Sequence, residues 1–175
     1  MSPESPPPPK PGYSALRRHR WSSPGSDYFV TVNLQRPVSG LVSPALLAVL
    51  ESQRTTLEST HHWRVRTWVV MPDHLHVTFT LGANSTLAEV LRLFKGRLTP
   101  ALRSSHLAWQ EGYYDHFMRP DEDRLPVFLY IFLNPYRANL LPATERWAGY
   151  FCAAEDWAWF GPLTNSDLPL PEWLP

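Results

Sequence analysis

Hydrophobic positions along the chain switch between two periods. Over Tyr28-Phe29-Val30-Thr31-Val32-Asn33-Leu34 the residues are β-branched or aromatic, which predicts a strand. Leu46, Leu47, Leu50 and Leu57 then recur at helical spacing behind Ser43-Pro44, an N-cap with proline at the first helical position. Trp63 to Val70 predicts a second strand and His74 to Leu81 a third, with Met71-Pro72-Asp73 as the turn between them. Thr86-x-x-Glu89 is a capping box, and the helix it opens carries Leu87, Val90, Leu91, Phe94 and Leu98 on one face. Tyr113 to Arg119 predicts a fourth strand. Asp121, Glu122 and Asp123 follow, where negative charge favours a helix start. Leu125, Phe128, Leu129 and Phe132 continue that helix, with Pro126 tolerable only in its first turn. The order β-α-β-β-α-β plus one helix predicts an α+β fold: a ferredoxin-like antiparallel sheet with helices packed on one face and a further helix following.

Composition sets the frame around this pattern. At 175 residues the chain suits one domain that buries its own core. Residues 1–12 hold six prolines and lead into a basic arm, Arg17-Arg18-His19-Arg20-Trp21, so residues 1–21 read as a lead-in. Residues 161–175 read as an irregular, Pro-rich acidic tail, which leaves 22–160 as the folded domain. Cys152 is the only cysteine, which excludes an internal disulfide and suits a reducing compartment. No apolar run approaches the ~20 residues of a membrane helix, and the N-terminus lacks a signal-peptide core, so a cytoplasmic protein without membrane partners is expected.

Net charge is zero, yet residues 1–110 carry 12 Lys+Arg against 6 Asp+Glu, whereas residues 111–175 carry 4 against 10. A cationic part with an acidic tail suits a polyanion binder, because local field attracts phosphate. Segregation of charge on two solvated faces is the other reading of the same counts.

Two short motifs carry candidate chemistry. In His74-Leu75-His76 on a strand, the imidazoles leave the same face with Cα atoms ~7 Å apart, near enough to share one cation. Two partly exposed sheet histidines would give the same pattern. In Tyr130-Ile131-Phe132-Leu133-Asn134-Pro135, Tyr130 and Asn134 share a helix face one turn apart. Pro135 should end or kink that helix at Asn134. A half-buried packing tyrosine and a terminal cap are the alternative there. Asp73 is a candidate ligand or base, although its position suits the turn.

Taken in order, the two-histidine strand after Val-Val-Met-Pro, then Trp109-Gln110-Glu111-Gly112-Tyr113-Tyr114-Asp115-His116, then Tyr130 to Ala138 resemble the single-tyrosine HUH transposases of the IS200-like superfamily. The closest resemblance is to the REP-associated tyrosine transposase branch, over roughly residues 17 to 160. It implies His74 and His76 as metal ligands, Tyr130 as nucleophile and Asn134 as a third ligand. It also implies cleavage near the foot of repetitive palindromic DNA hairpins. Tyr136 and Asn139 depart from the form expected, standing where a smaller aliphatic and a glycine are common.

The implied chemistry is a metal-dependent transesterification. A divalent ion, Mn²⁺ or Mg²⁺, polarises the phosphate and orients it. A tyrosine hydroxyl, with an ordinary pKa of ~10, is a better nucleophile where the site favours its phenolate. The phosphotyrosine keeps the bond energy, so a free 3′-OH can reverse the step on a new strand. Arg17, Arg18, Arg20 and Trp21, together with Arg92, Lys95, Arg97 and Arg103 on the capped helix, are the candidate contacts to single-stranded or hairpin DNA. A monomer is expected, with a dimer as the alternative. Competing classes are a catalytically silent nucleic-acid-binding protein of the same fold and a small-molecule phosphoesterase that uses the histidines alone.

Overall fold

The computed structural model describes residues 22–36 and 39–174. Strand β1 (Asp27–Asn33) is followed by helix α1 (Pro44–Ser59), the hairpin β2 (Trp63–Val70) and β3 (His74–Leu81), helix α2 (Leu87–Ser104) and β4 (Tyr114–Met118). Helix α3 (Leu125–Arg137), β5 (Tyr150–Cys152) and α4 (Ala154–Phe160) complete it. The sheet runs β4-β1-β3-β2-β5, and every neighbouring pair is antiparallel. The first four strands therefore take the split β-α-β order that the alternating periods predict. The short fifth strand, only three residues long, was too brief to carry a period of its own.

Alternation decides which face each side chain serves. Tyr28, Val30 and Val32 of β1 and Leu75, Val77, Phe79 and Leu81 of β3 pack with the apolar faces of α1 and α2 in one core. In β2 the register shifts between Val65 and Thr67, and this bulge returns Trp68 and Val70 to the face already used by Trp63 and Val65. Both helix starts form as their caps predict: Ser43 Oγ accepts from Leu46 N–H, and Thr86 and Glu89 close the reciprocal capping box.

Helix α3 lies on the other side of the sheet, where Ile131 packs with Val69 and Met71. Its far side carries Phe128, Phe132 and Leu133 against Phe160 of α4. Trp173 and Leu174 pack on that cluster too, so the segment after residue 160, although it forms only 3-10 turns, is docked on the domain. The helix does not end at Asn134, one of the two outcomes expected there, and α3 continues through Pro135 to Arg137. It closes with Leu140 N–H donating to Pro135 O and Asn139 N–H to Tyr136 O, while Asn139 adopts φ 53°. That is a Schellman end with asparagine in the left-handed position, which explains why a glycine would also suit residue 139.

Several carboxylates near the C-terminal end of the domain enter internal ion pairs. Buried Asp156 takes a two-pronged contact from Arg66, Glu155 meets Arg64, and Asp167 meets Arg146. Asp27 in turn lies 2.6 Å from Arg124 and 3.6 Å from Arg66. Three of the four side-chain carboxylates after Arg146 are thus matched by arginines, two of them by Arg64 and Arg66 of the basic part.

Candidate active site

Register, rather than sequence proximity, builds the site. Thr31 pairs with His76 and Asn33 with His74, on the sheet face that α3 covers. His76 is buried and stacks on Phe29, with ring centroids 5.6 Å apart and planes at 25°. Its Nδ1 lies 2.8 Å from Thr31 Oγ1. His74 Nδ1 lies 2.7 Å from the carboxylate of Asp73, to which it donates. Each ring is therefore held by its Nδ1, and the two Nε2 atoms face one another at 3.0 Å.

Helix α3 brings Tyr130 to the same point. Its hydroxyl lies 3.2 Å from His76 Nε2, and its ring meets Phe29 edge-on at 6.0 Å. Tyr130 is 43% exposed, so the residue is open to solvent on the side away from the sheet contact. The packing of Ile131 on Val69 and Met71 fixes the helix from the residue next in the chain. Burial, then the neighbouring His74, pushes the His76 pKa down to about 3 despite the opposing carboxylate of Asp73. His76 is consequently a neutral imidazole at physiological pH, the form that binds metal.

The donor set fits a divalent cation. Two Nε2 lone pairs at 3.0 Å repel unless a proton or cation lies between them. That separation is also the edge subtended by two imidazoles bound ~2.1 Å from one ion at roughly a right angle. Among the described residues no third His, Cys, Asp or Glu joins them in a metal-binding group. Asn134 is half-buried one turn beyond Tyr130 on α3, and no hydrogen bond ties its carboxamide to the histidines or to Tyr130.

The other candidates are distributed differently. Arg92, Arg97 and Arg103 are exposed on α2, across the sheet from the histidines. Lys95 is committed to structure: its ammonium donates to Gln110 O at 2.6 Å and Gly112 O at 2.8 Å, and burial lowers its pKa. It thereby pins the loop before β4, a task that a basic residue on a helix face does not announce in sequence. Arg17, Arg18, Arg20 and Trp21 lie outside the described residues. Tyr113 packs against the α1–α2 core, whereas Tyr114 shares the histidine face but sits on β4, beyond Thr31. Thr31 and Phe29 were missed as site residues because only the β1–β3 register brings them to His76. Asp73 carried a signal, adjacency to His74, but its use on Nδ1 is visible only in the structure.

The chain is 25% identical over 129 residues to the REP-associated tyrosine transposase of Escherichia coli K12, covering 73% of this chain and 77% of that protein. The solved structure of a REP-associated tyrosine transposase bound to a REP hairpin superimposes with a TM-score of 0.64 at 24% identity, covering 75% of this chain and 79% of that one. The chain is similar to the REP-associated tyrosine transposases in sequence and in fold. An uncharacterised protein of Haemophilus influenzae is 27% identical over 97 residues, and no family model matches. The fold likeness to the REP-associated transposase covers most of the domain that holds the histidine strand and α3. No helix of the described residues is long and apolar enough to cross a membrane.

Proposed function

We propose that this chain is a transposase-like enzyme that binds DNA hairpins of the REP type and, with a divalent metal ion, cleaves and rejoins single-stranded DNA through a phosphotyrosine on Tyr130. The observation that carries the reading is the convergence of the Tyr130 hydroxyl and the Nε2 atoms of His74 and His76 within 3.2 Å contacts. The similarity to REP-associated tyrosine transposases, one of them solved with a REP hairpin, supplies the substrate class. Tyrosine and histidines of a single chain meet, so a monomer is sufficient as the acting unit.

In this reading His74 and His76 hold the ion, with Asn134 as a third donor. The bound ion supplies Lewis-acid polarisation and charge neutralisation at the phosphate. Tyr130 Oη forms the new bond to phosphorus as the bond to the departing sugar oxygen breaks. The phenolic proton passes to the solvent that reaches this exposed residue, and the departing oxygen gains a proton to become a free hydroxyl. The number of phosphoester bonds is unchanged, so an incoming hydroxyl can reverse the step. Asp73 and Thr31 hold the imidazoles in place throughout, and Phe29 supplies the apolar wall behind His76. Arg92 and Arg97, across the sheet from the reacting centre, serve as phosphate contacts, and Arg17, Arg18, Arg20 and Trp21 serve as further phosphate and stacking contacts.

The test is an end-labelled single strand folded as a hairpin with unpaired flanks, incubated with Mn²⁺, with Mg²⁺ or with EDTA. Cleavage with a covalent protein–DNA band in metal, and neither in EDTA, is the expected result. Full cleavage in EDTA would remove the metal role, and tight binding without cleavage in either metal would leave a binding protein only.

A further inference from the structure

Tyr114 is the most exposed large apolar side chain of the described residues, at 59%. It stands on β4, the outermost strand of the sheet, with its side chain on the same face as His76. The register places it in a lateral row: Tyr114 opposite Thr31, and Thr31 opposite His76. Two strand spacings put its Cα ~10 Å from that of His76, a span that a nucleotide flanking the reacting phosphate can bridge. Phe29 forms the floor between them, meeting Tyr114 edge-on at 6.4 Å, Tyr130 at 6.0 Å and His76 at 5.6 Å. Tyr113, the preceding residue, is turned to the opposite face and packs against the core.

We infer that Tyr114, backed by Phe29, is a stacking subsite for an unpaired nucleobase next to the phosphate attacked by Tyr130. The inference rests on the functional reading above. An aromatic ring left open to solvent beside a candidate phosphoryl-transfer centre matches the way single strands are held, since every base offers a π-face. The floor explains why the ring is held ready: Phe29 contacts Tyr114 on one side and the tyrosine–histidine pair on the other, so a base stacked on Tyr114 fixes where its phosphate falls relative to Tyr130. The neighbouring polar pair on this face, His116 with Glu122 at 2.8 Å, lies opposite Phe29 and borders the subsite. Tyr114 is a positioning residue for the strand and takes no part in bond making.

The experiment uses the full chain carrying Tyr130→Phe, so that binding is read without turnover, and hairpins with 2-aminopurine placed in turn at each unpaired flanking position. One position should show quenching that Tyr114→Ala abolishes, with affinity falling roughly 5- to 150-fold, the range expected for one base–aromatic stack. Tyr114→Trp and Tyr114→Phe should restore both signals, because the ring and not the hydroxyl does the stacking. Replacing that nucleotide by an abasic site should make the Tyr114→Ala protein and its parent bind equally, a coupling that a merely structural role would not produce. Hairpin binding and metal-dependent cleavage that are both intact in the unsubstituted protein, with Tyr114→Ala neutral at every position in the Tyr130→Phe chain, would overturn the subsite alone. Failure of the unsubstituted protein to bind the hairpin would overturn the subsite together with the functional reading.

Discussion

Replacing Thr31 by valine removes one hydroxyl from the site and little else, because the two side chains have nearly the same shape. The loss falls on His76 Nδ1, 2.8 Å away in a residue that is 5% exposed, so water does not readily take the vacated place. A buried polar atom left unsatisfied costs about 1–3 kcal/mol. Outer hydrogen bonds of this kind contribute about 10- to 100-fold to metal affinity. We expect Thr31→Val to raise the Mn²⁺ concentration for half-maximal hairpin cleavage by about that factor, with the maximal rate largely recovered at saturating metal. A metal titration of initial cleavage rates, alongside calorimetric Mn²⁺ binding, measures it. The same metal midpoint in both proteins would refute the idea that Thr31 orients His76 as a ligand. A lowered maximal rate with an unchanged midpoint would move Thr31 to a different task.

Other parts of the structure give independent tests. Asp156→Ala should destabilise the fold by about 1.5–3 kcal/mol, since Arg66 loses its two-pronged partner and is left with Asp27 at 3.6 Å, and thermal unfolding will show it. In metal-free protein, His76 stays neutral down to about pH 3 while the unfolded chain protonates it near the ordinary ~6.5, so its contribution to stability is present above that value. Stability should therefore fall as pH drops from 6.5 towards 3, and His76→Gln should flatten that slope in denaturant titrations; an unchanged slope would contradict it. Arg92→Ala or Arg97→Ala should each reduce the salt dependence of hairpin binding by about 0.9 in the log–log slope, whereas Lys95→Met should leave the slope intact because its ammonium is held by Gln110 and Gly112.

Much of this was legible before the structure, and the reasons are particular. The alternation of Leu75, Val77, Phe79 and Leu81 along β3 placed His74 and His76 on a common face without any tertiary knowledge. The Thr86–Glu89 box marked α2 because capping is a local interaction. Pro135, read as ending or kinking the helix at Asn134, does not end it there: the packing of Ile131, Phe132 and Tyr136 carries the helix on to Arg137. The bulge at Arg66–Thr67 and the ion pair from Arg66 to Asp156, 90 residues apart, depend on tertiary register and left no periodic trace. The same holds for Thr31 and Phe29, ordinary strand residues until β1 is laid beside β3. That α3 covers the histidine face was expected only in part: Tyr130 and Asn134 at helical spacing gave the shared helix side, and the β2 contact made by Ile131 fixes which side of the sheet it meets.

The central claim is that Tyr130 is the residue that becomes joined to DNA. Full-length protein should be trapped with a hairpin substrate in Mn²⁺, digested, and the DNA-bearing peptide identified by mass spectrometry, with Tyr130→Phe run in parallel. A nucleotide on the Tyr130 peptide is expected, and in Tyr130→Phe neither adduct nor cleavage but undiminished hairpin binding. A nucleotide on Tyr114 or Tyr113, or normal cleavage by Tyr130→Phe, would contradict it.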